Sequence, residues 1–372
     1  MPASASTTIV RTTPEEARGR SITEWLRYVT ALPGVPGHEH AAAPAIEKAY
    51  RLYADRVTRD RIGNVYGWID GTGPAPRPRA LLAAHMDRIG FLVKRIEPGG
   101  FLRVTQVGGF DPRTLPGREV VVHGRSPLVA LFGTKPPHLQ KKGEAERVTP
   151  IDELYLDTGR PEAEVRRLVR IGAMVTLRQP PVDLLGGRLA APGMDDRAGL
   201  VVVIRTLELL RERRPIWDVV GVGTIEEEFG IGFLGARTAA ESVDPSLGIA
   251  IDVSHGDMAG AREGDTVPLG GGPSLCIGAN IHPKILDGLK GTARALGVPY
   301  SVEGCAIQSG TDAMDIQISR EGIPTAVIGI PCRYMHTGVE TVDPRDVDRA
   351  ARLLASYLAD LPRDWSVAER LK

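Results

Sequence analysis

The apolar positions change rhythm three times along the chain. Up to about residue 54 they recur at helical spacing: Ile46, Tyr50 and Leu52 interleave with alanines in the segment from His38, which predicts a helix. Thr13-Pro14-Glu15-Glu16 reads as an earlier helix start, with a capping hydroxyl, a first-turn proline and acids facing the dipole, and residues 1–11 before it read as a disordered tail. RVTRD, NVYGWID and RALLAAH follow as strands between Gly and Pro turns. From Ile89 to about Gly186 the runs become short and β-branched: GFLVKRI, GFLRVTQV, REVVVHG, SPLVALFG and AMVTLR, with one helix near Glu162 to Leu168. Such a block predicts a β-barrel or sandwich inserted into another domain.

After Asp195 helix and strand alternate. GLVVVIRTLELLRE, LGARTAAES, PKILDGLKGTARALG, DAMDIQISR and PRDVDRAARLLASYL read as helices, and DVVGVGTIEEE, SLGIAID, PYSVE and PTAVIGI as strands. Alternation of this kind places a sheet between two helical layers. The expected fold is therefore α/β, a mixed sheet with helices on both faces and an inserted small β-barrel. The main domain is expected over 1–87 and 187–372, with the insertion over 88–186.

Several of the apolar runs end in ionisable residues. ALLAAHMD closes on His85 and Asp87, APGMDDR carries Asp195 and Asp196, GVGTIEEE ends in Glu226, Glu227 and Glu228, GIAID in Asp252, and TAVIGIPCRYMH in His336. Each has an ordinary explanation alone: Asp195-Asp196 caps a helix, the three glutamates form a solvated strand end, and His336 lies in a turn. Together they need a common one, because ionisable groups at buried strand ends are costly unless paired, hydrogen-bonded or bound to metal. Ligands of open α/β sheets bind outside the carboxyl ends of the strands. Imidazoles and carboxylates suit zinc-like ions, and this inventory suits two divalent ions sharing a bridging carboxylate. Asp195, Glu228 and Asp252 would return three of the four positive charges and leave one for a bridging hydroxide. His85 and Asp87 share one side of a strand, so Asp87 is placed to orient the imidazole from behind. His255, just beyond Asp252, is a second candidate ligand. His38, His40, His123, His138 and His282 read as structural or exposed.

Composition narrows the partners. The 372 residues carry 46 basic and 46 acidic side chains, so no basic field invites nucleic acid or anionic lipid. No run approaches the ~18 apolar residues of a membrane span and none has signal-peptide character, which points to a cytoplasmic protein. Cys276, Cys305 and Cys332 are odd in number and widely spaced, and read as reduced, buried residues.

The order His, Asp, Glu-Glu, Asp, His, set in AAHMDRIGFLV, GMDDRAG, EEFG followed by Gly235-Ala236, AIDV, GTDA and IPCRYMHT, resembles the M42 family of metallo-aminopeptidases, which includes glutamyl and deblocking aminopeptidases and the tetrahedral TET peptidases. The resemblance runs from about Ser21 through nearly the whole chain. It implies that His85, Asp195 and Asp252 hold one ion and Asp195, Glu228 and His336 the other, zinc or cobalt, with Glu227 as general base and Asp87 behind the first histidine. It implies a cis bond between Asp195 and Asp196, short peptides as substrates, and a homo-oligomer, commonly a hollow dodecamer assembled with help from the barrel. Two features depart from the family pattern: Arg88 follows HMD where an acid is common, and the loop EEEFGIGFLGA is two residues longer than usual. Arg88 hints at an acidic substrate residue, or at an ion pair with Glu226 or a place facing the insertion. A glycosidase of the cellulase type and a catalytically silent peptide-binding protein of the same fold are the competing readings; the aromatic content of 5% leaves few rings for a sugar cleft.

Overall fold

The computed structural model describes residues 19–141, 143, 146–230, 232–262, 264–305 and 309–367. The tail and first helix expected before Gly19 lie outside these residues. A serine cap opens the first described helix, Ile22–Thr30: Ser21 accepts from the Glu24 N–H at 3.3 Å while its own N–H donates to the Glu24 carboxylate at 2.7 Å. The helix expected from His38 is shorter, a 3-10 turn at Glu39–Ala41 followed by Ala43–Tyr50.

An 11-stranded mixed sheet forms the body of the molecule. Its centre is a parallel block in which Arg79–His85 lies between Asp218–Thr224 and Leu247–His255, with Thr325–Arg333 beyond. Side chains alternate along these strands. In Arg79–His85, Ala80, Leu82 and Ala84 enter one core with the long helix Met194–Glu212 and the helix Pro344–Ala359, whereas Leu81 and Ala83 enter another with Leu234–Val243. Both faces are thus apolar and both are covered, as buried parallel strands require. Ser274–Gly278 pairs antiparallel with Thr325–Arg333 and parallel with Ser301–Cys305, which extends the sheet on one side.

The insertion is a closed six-stranded barrel in the order Gly90–Ile96, Leu102–Val107, Tyr155–Asp157, Pro127–Gly133, Glu119–His123 and Met174–Leu177. It has its own core, with Phe91 stacked on Phe110 and edge-on to Phe132. Within the 88–186 span expected for it, Val182–Leu184 instead pairs with Arg188–Ala190 at the far edge of the large sheet. The exposed face of that short strand hides its membership from the hydropathy pattern.

One further expectation is corrected. Cys276 and Cys305 form a disulfide across neighbouring parallel strands, their Cα atoms 6.0 Å apart; only Cys332 is free and buried. A separation of 29 residues gives a sequence reader no sign of that pairing. Of the described residues, no helix is long and apolar enough to cross a membrane.

His123 in the barrel wall lies 2.9 Å from the Thr176 hydroxyl, and burial, with the charges of Arg88 and His38, pushes its pKa from 6.5 down to about 4. In the unfolded chain the imidazole protonates near 6.5, before the folded one does. His123 therefore costs stability progressively as pH falls from 6.5 to about 4. His123→Gln is expected to flatten the loss of denaturation midpoint across that window; parallel slopes for variant and parent would contradict this.

Candidate metal centre

The carboxyl ends of the central parallel strands converge. Ala83 stands opposite Ala250 and Thr224 opposite His85, which brings His85, Asp252 and the residues after Thr224 to one end of the sheet. His336 arrives from the turn after Thr325–Arg333, with its backbone in the left-handed region at φ 61°. Asp195 comes from the start of the long helix, and the Asp195–Asp196 peptide bond is cis.

Asp195 lies between the two imidazoles. One carboxylate oxygen is 3.1 Å from His85 Nε2 and the other is 3.2 Å from His336 Nε2. Glu228 Oε2 is 3.3 Å from His336 Nε2, and Glu227 Oε2 is 3.7 Å from His85 Nε2. His85, Asp195 and Glu228 can each offer a ligand atom within 4.8 Å of the others, and so can His85, Asp196 and Asp252. The second trio contains Asp196 where the resemblance expects Asp195. Asp196 has one oxygen accepting the Gly199 N–H at 3.0 Å and the other buried without a hydrogen-bond partner, while Asp195 alone has an oxygen toward each histidine.

The strand expected to run through Glu228 ends at Thr224. Glu226 then adopts φ 57°, a left-handed turn that breaks the strand alternation. Glu227 and Glu228 consequently both enter the buried site instead of facing opposite ways, while Glu226 stays partly exposed. Asp87 secures the turn: its two oxygens accept the N–H groups of Glu227 and Glu228 at 3.3 and 2.9 Å, and Oδ1 lies 3.5 Å from His85 Nδ1. One fully buried carboxylate thus holds the His85 strand and the glutamate turn together.

Electrostatics set the same residues apart. Burial drives the carboxyls of Glu227, Asp252 and Asp196 well above their usual range, with the charge of Asp252 adding to the rise at Asp196 and that of Asp195 at Asp252. Burial would also raise Asp195, but hydrogen bonds from His336 and His85 outweigh it and hold that group below the usual carboxylate range. Burial opposes charge on His336, yet hydrogen bonds to Asp195 and Glu228 raise it to about 11.

Four buried ionisable neighbours were given no role from the sequence, although Asp312 and Arg197 lie in the GTDA and GMDDRAG segments. Glu340 accepts the His336 N–H at 2.9 Å and the Asp195 N–H at 3.3 Å; burial and the Asp195 charge raise it to about 8. Glu39 accepts the Glu226 N–H at 3.0 Å, Asp312 accepts the Thr224 hydroxyl at 2.6 Å, and Arg197 is wholly buried and donates to the Val29 carbonyl. None of them ends an apolar run, so nothing in the hydropathy pattern singles them out. Arg88 is also buried: it donates to the Thr30 carbonyl and lies against Gly193, and it is not among the residues that line the cavity over the site.

A cavity of about 550 Å³ opens over the centre, lined by Asp195, Glu227, Glu228, Asp252 and His336 together with Phe229, Phe233, Ser254, His255, Glu303 and Met335. Gly108 and Gly109 of the barrel side form part of its wall, and a Cβ at Gly109 would come within 3.3 Å of the His336 ring.

A family profile described as M42 glutamyl aminopeptidase matches residues 63–353. The lysyl aminopeptidase of Pyrococcus furiosus is 35% identical over 92% of this chain and 99% of its own. Among solved structures, an aminopeptidase from Desulfurococcus kamchatkensis superimposes with a TM-score of 0.86 at 31% identity, over 93% of this chain and 97% of that one. The TET1 peptidase of Pyrococcus horikoshii, described as assembling into a tetrahedron or a large octahedral shell, gives 0.80 at 28% identity over 92% and 100% of the two chains.

Proposed function

The chain belongs to the M42 family and is an aminopeptidase, and from that premise we propose that it removes the N-terminal residue of short peptides with two divalent metal ions, zinc or cobalt, held by His85, Asp195, Glu228, Asp252 and His336. The observation that carries this reading is the position of Asp195, one oxygen toward each imidazole. The residues present fit such ions. Glu228 Oε1 is buried without a hydrogen-bond partner, and the crowded carboxyls are of the kind that nearby dications keep ionised. Nitrogen and oxygen donors in this mixture suit zinc and cobalt.

When bound, such ions polarise the scissile carbonyl and acidify the attacking water. Glu227 reaches into the cavity beside His85, where it takes the proton of that water and returns it to the departing amine. Asp87 fixes the Glu227 backbone and stands behind His85, so it positions both without meeting the substrate. We also propose that the protein assembles as a homo-oligomer, a dodecamer like that described for a TET1 relative. Support comes from the assemblies described for the TET1 relative and from the outward barrel strand Pro127–Gly133, where Val129 and Leu131 are 51% and 48% exposed.

Treatment with EDTA is expected to abolish hydrolysis of amino-acyl anilides, and zinc or cobalt to restore it, with two ions per chain by metal analysis. Failure of every divalent ion to restore activity to folded apo-protein would rule the metal reading out. Cleavage of a cellulose oligomer that survives the chelator would favour a glycosidase instead.

A further inference from the structure

We propose that Glu303 selects peptides whose N-terminal residue is lysine or arginine. The inference rests on the aminopeptidase reading, in which the cavity receives that residue. Four of the acids lining the cavity, Asp195, Glu227, Glu228 and Asp252, are committed to the ions and to proton transfer. Glu303 is the remaining carboxylate, and no lysine or arginine is found among the described lining residues. A cation entering the cavity therefore meets one uncommitted negative charge, whereas an anionic side chain meets repulsion without a counter-charge.

Glu303 is held in place rather than loosely solvated. Its Oε2 accepts the Ser274 hydroxyl at 2.9 Å, and Ser274 Oγ is 2.6 Å from Ser254 Oγ on the strand that carries Asp252. The two hydroxyls meet above Gly329, where a Cβ would come within 1.7 Å of one and 2.3 Å of the other. Asp252 pairs in register with Gly329, Gly329 with Ser274 and Ser274 with Ser301, so Ser254 and Glu303, each two residues further along, lie on the same face as the ligand. A buried row of hydroxyls thus connects the metal-ligand strand to Glu303. It fixes one oxygen of that carboxylate and leaves the other for a substrate.

Three strand spacings separate the backbones of Asp252 and Glu303, roughly 14 Å at ~4.8 Å each, but the hydroxyl row brings the Glu303 carboxylate back toward the strand of Asp252. The cationic tip of a lysine or arginine side chain can meet it there. Phe229, Phe233 and Met335 line the same cavity and offer apolar surface to the methylenes.

The test compares kcat/KM for Lys, Arg, Leu and Glu p-nitroanilides in metal-loaded parent, Glu303→Gln and Glu303→Lys. The parent is expected to favour Lys and Arg over Leu by about tenfold to a hundredfold, the value of one charged hydrogen bond in a partly desolvated site. Glu303→Gln should remove most of that ratio, and Glu303→Lys should shift preference toward Glu. A Lys-to-Leu ratio that is the same in parent and both variants, or equal losses on Lys and Leu, would overturn the assignment. Leu hydrolysis by a parent with no preference for Lys sinks the role of Glu303 alone. Absence of hydrolysis on every anilide sinks the aminopeptidase reading and this assignment with it.

Discussion

Glu227→Gln is expected to lower kcat by about a hundredfold to ten-thousandfold, with KM little changed and the metal content of the protein intact. The amide keeps the volume of the carboxylate and the backbone N–H that donates to Asp87, so the turn after Thr224 should hold its shape. What it cannot do is take a proton from water. The ligand residues proposed here exclude Glu227, which is why metal retention belongs to the prediction. Its neighbour gives an internal control, since Glu228→Gln removes the carboxylate beside His336 and should cost metal as well as rate. If Glu227→Gln hydrolysed anilides at the parental rate while metal stayed bound, the base would have to be sought elsewhere.

Asp195→Asn is expected to lose both ions together and to lower activity by roughly a thousandfold or more, since bound ions contribute several kcal/mol to the transition state. The physical reason is the sharing. Each oxygen of Asp195 lies near a different histidine, and an amide can offer neither the negative charge nor two equivalent acceptor atoms. Removing a ligand that served a single ion would leave one metal per chain. Metal stoichiometry therefore separates the bridging assignment from the simpler one: a variant that retains one tightly bound ion would show that Asp195 is not the shared ligand.

The candidate site was legible in sequence to the extent that its members end apolar runs. His85, Asp252 and His336 follow strands whose hydropathy is plain, and Asp195 opens a helix with an evident apolar pattern. Glu340 plays a comparable part, since its carboxylate ties the backbones of His336 and Asp195 together, yet it lies between the last predicted strand and helix and ends no apolar run. Arg88 was conspicuous for its position after His85 and Asp87, and of the places it suggested the one toward the insertion is kept, where its charge acts on His123 of the barrel. It turns away from the cavity into the interior, against the Thr30 carbonyl and Gly193.

Local rules also broke down where the backbone departs from its regular form. Continued strand alternation would have sent Glu227 and Glu228 to opposite faces. The left-handed residue at Glu226 cancels that alternation, and no propensity of glutamate announces it. The disulfide between Cys276 and Cys305 was hidden for a related reason, because it depends on which strands become neighbours and not on spacing along the chain.

By itself the sequence determined the periodicities, and through them the layered α/β body, the β-rich insertion and the placing of acids and imidazoles at strand ends. These follow from burial of apolar side chains at a fixed repeat, which is a local property of the chain. Only the tertiary structure decided which carboxylate stands between the two histidines, which acids buttress them from behind, and which one is left facing the cavity as Glu303 is. Those outcomes depend on strand order and on a few irregular backbone turns, so they are set by residues far apart in sequence and become visible only when the strands lie side by side.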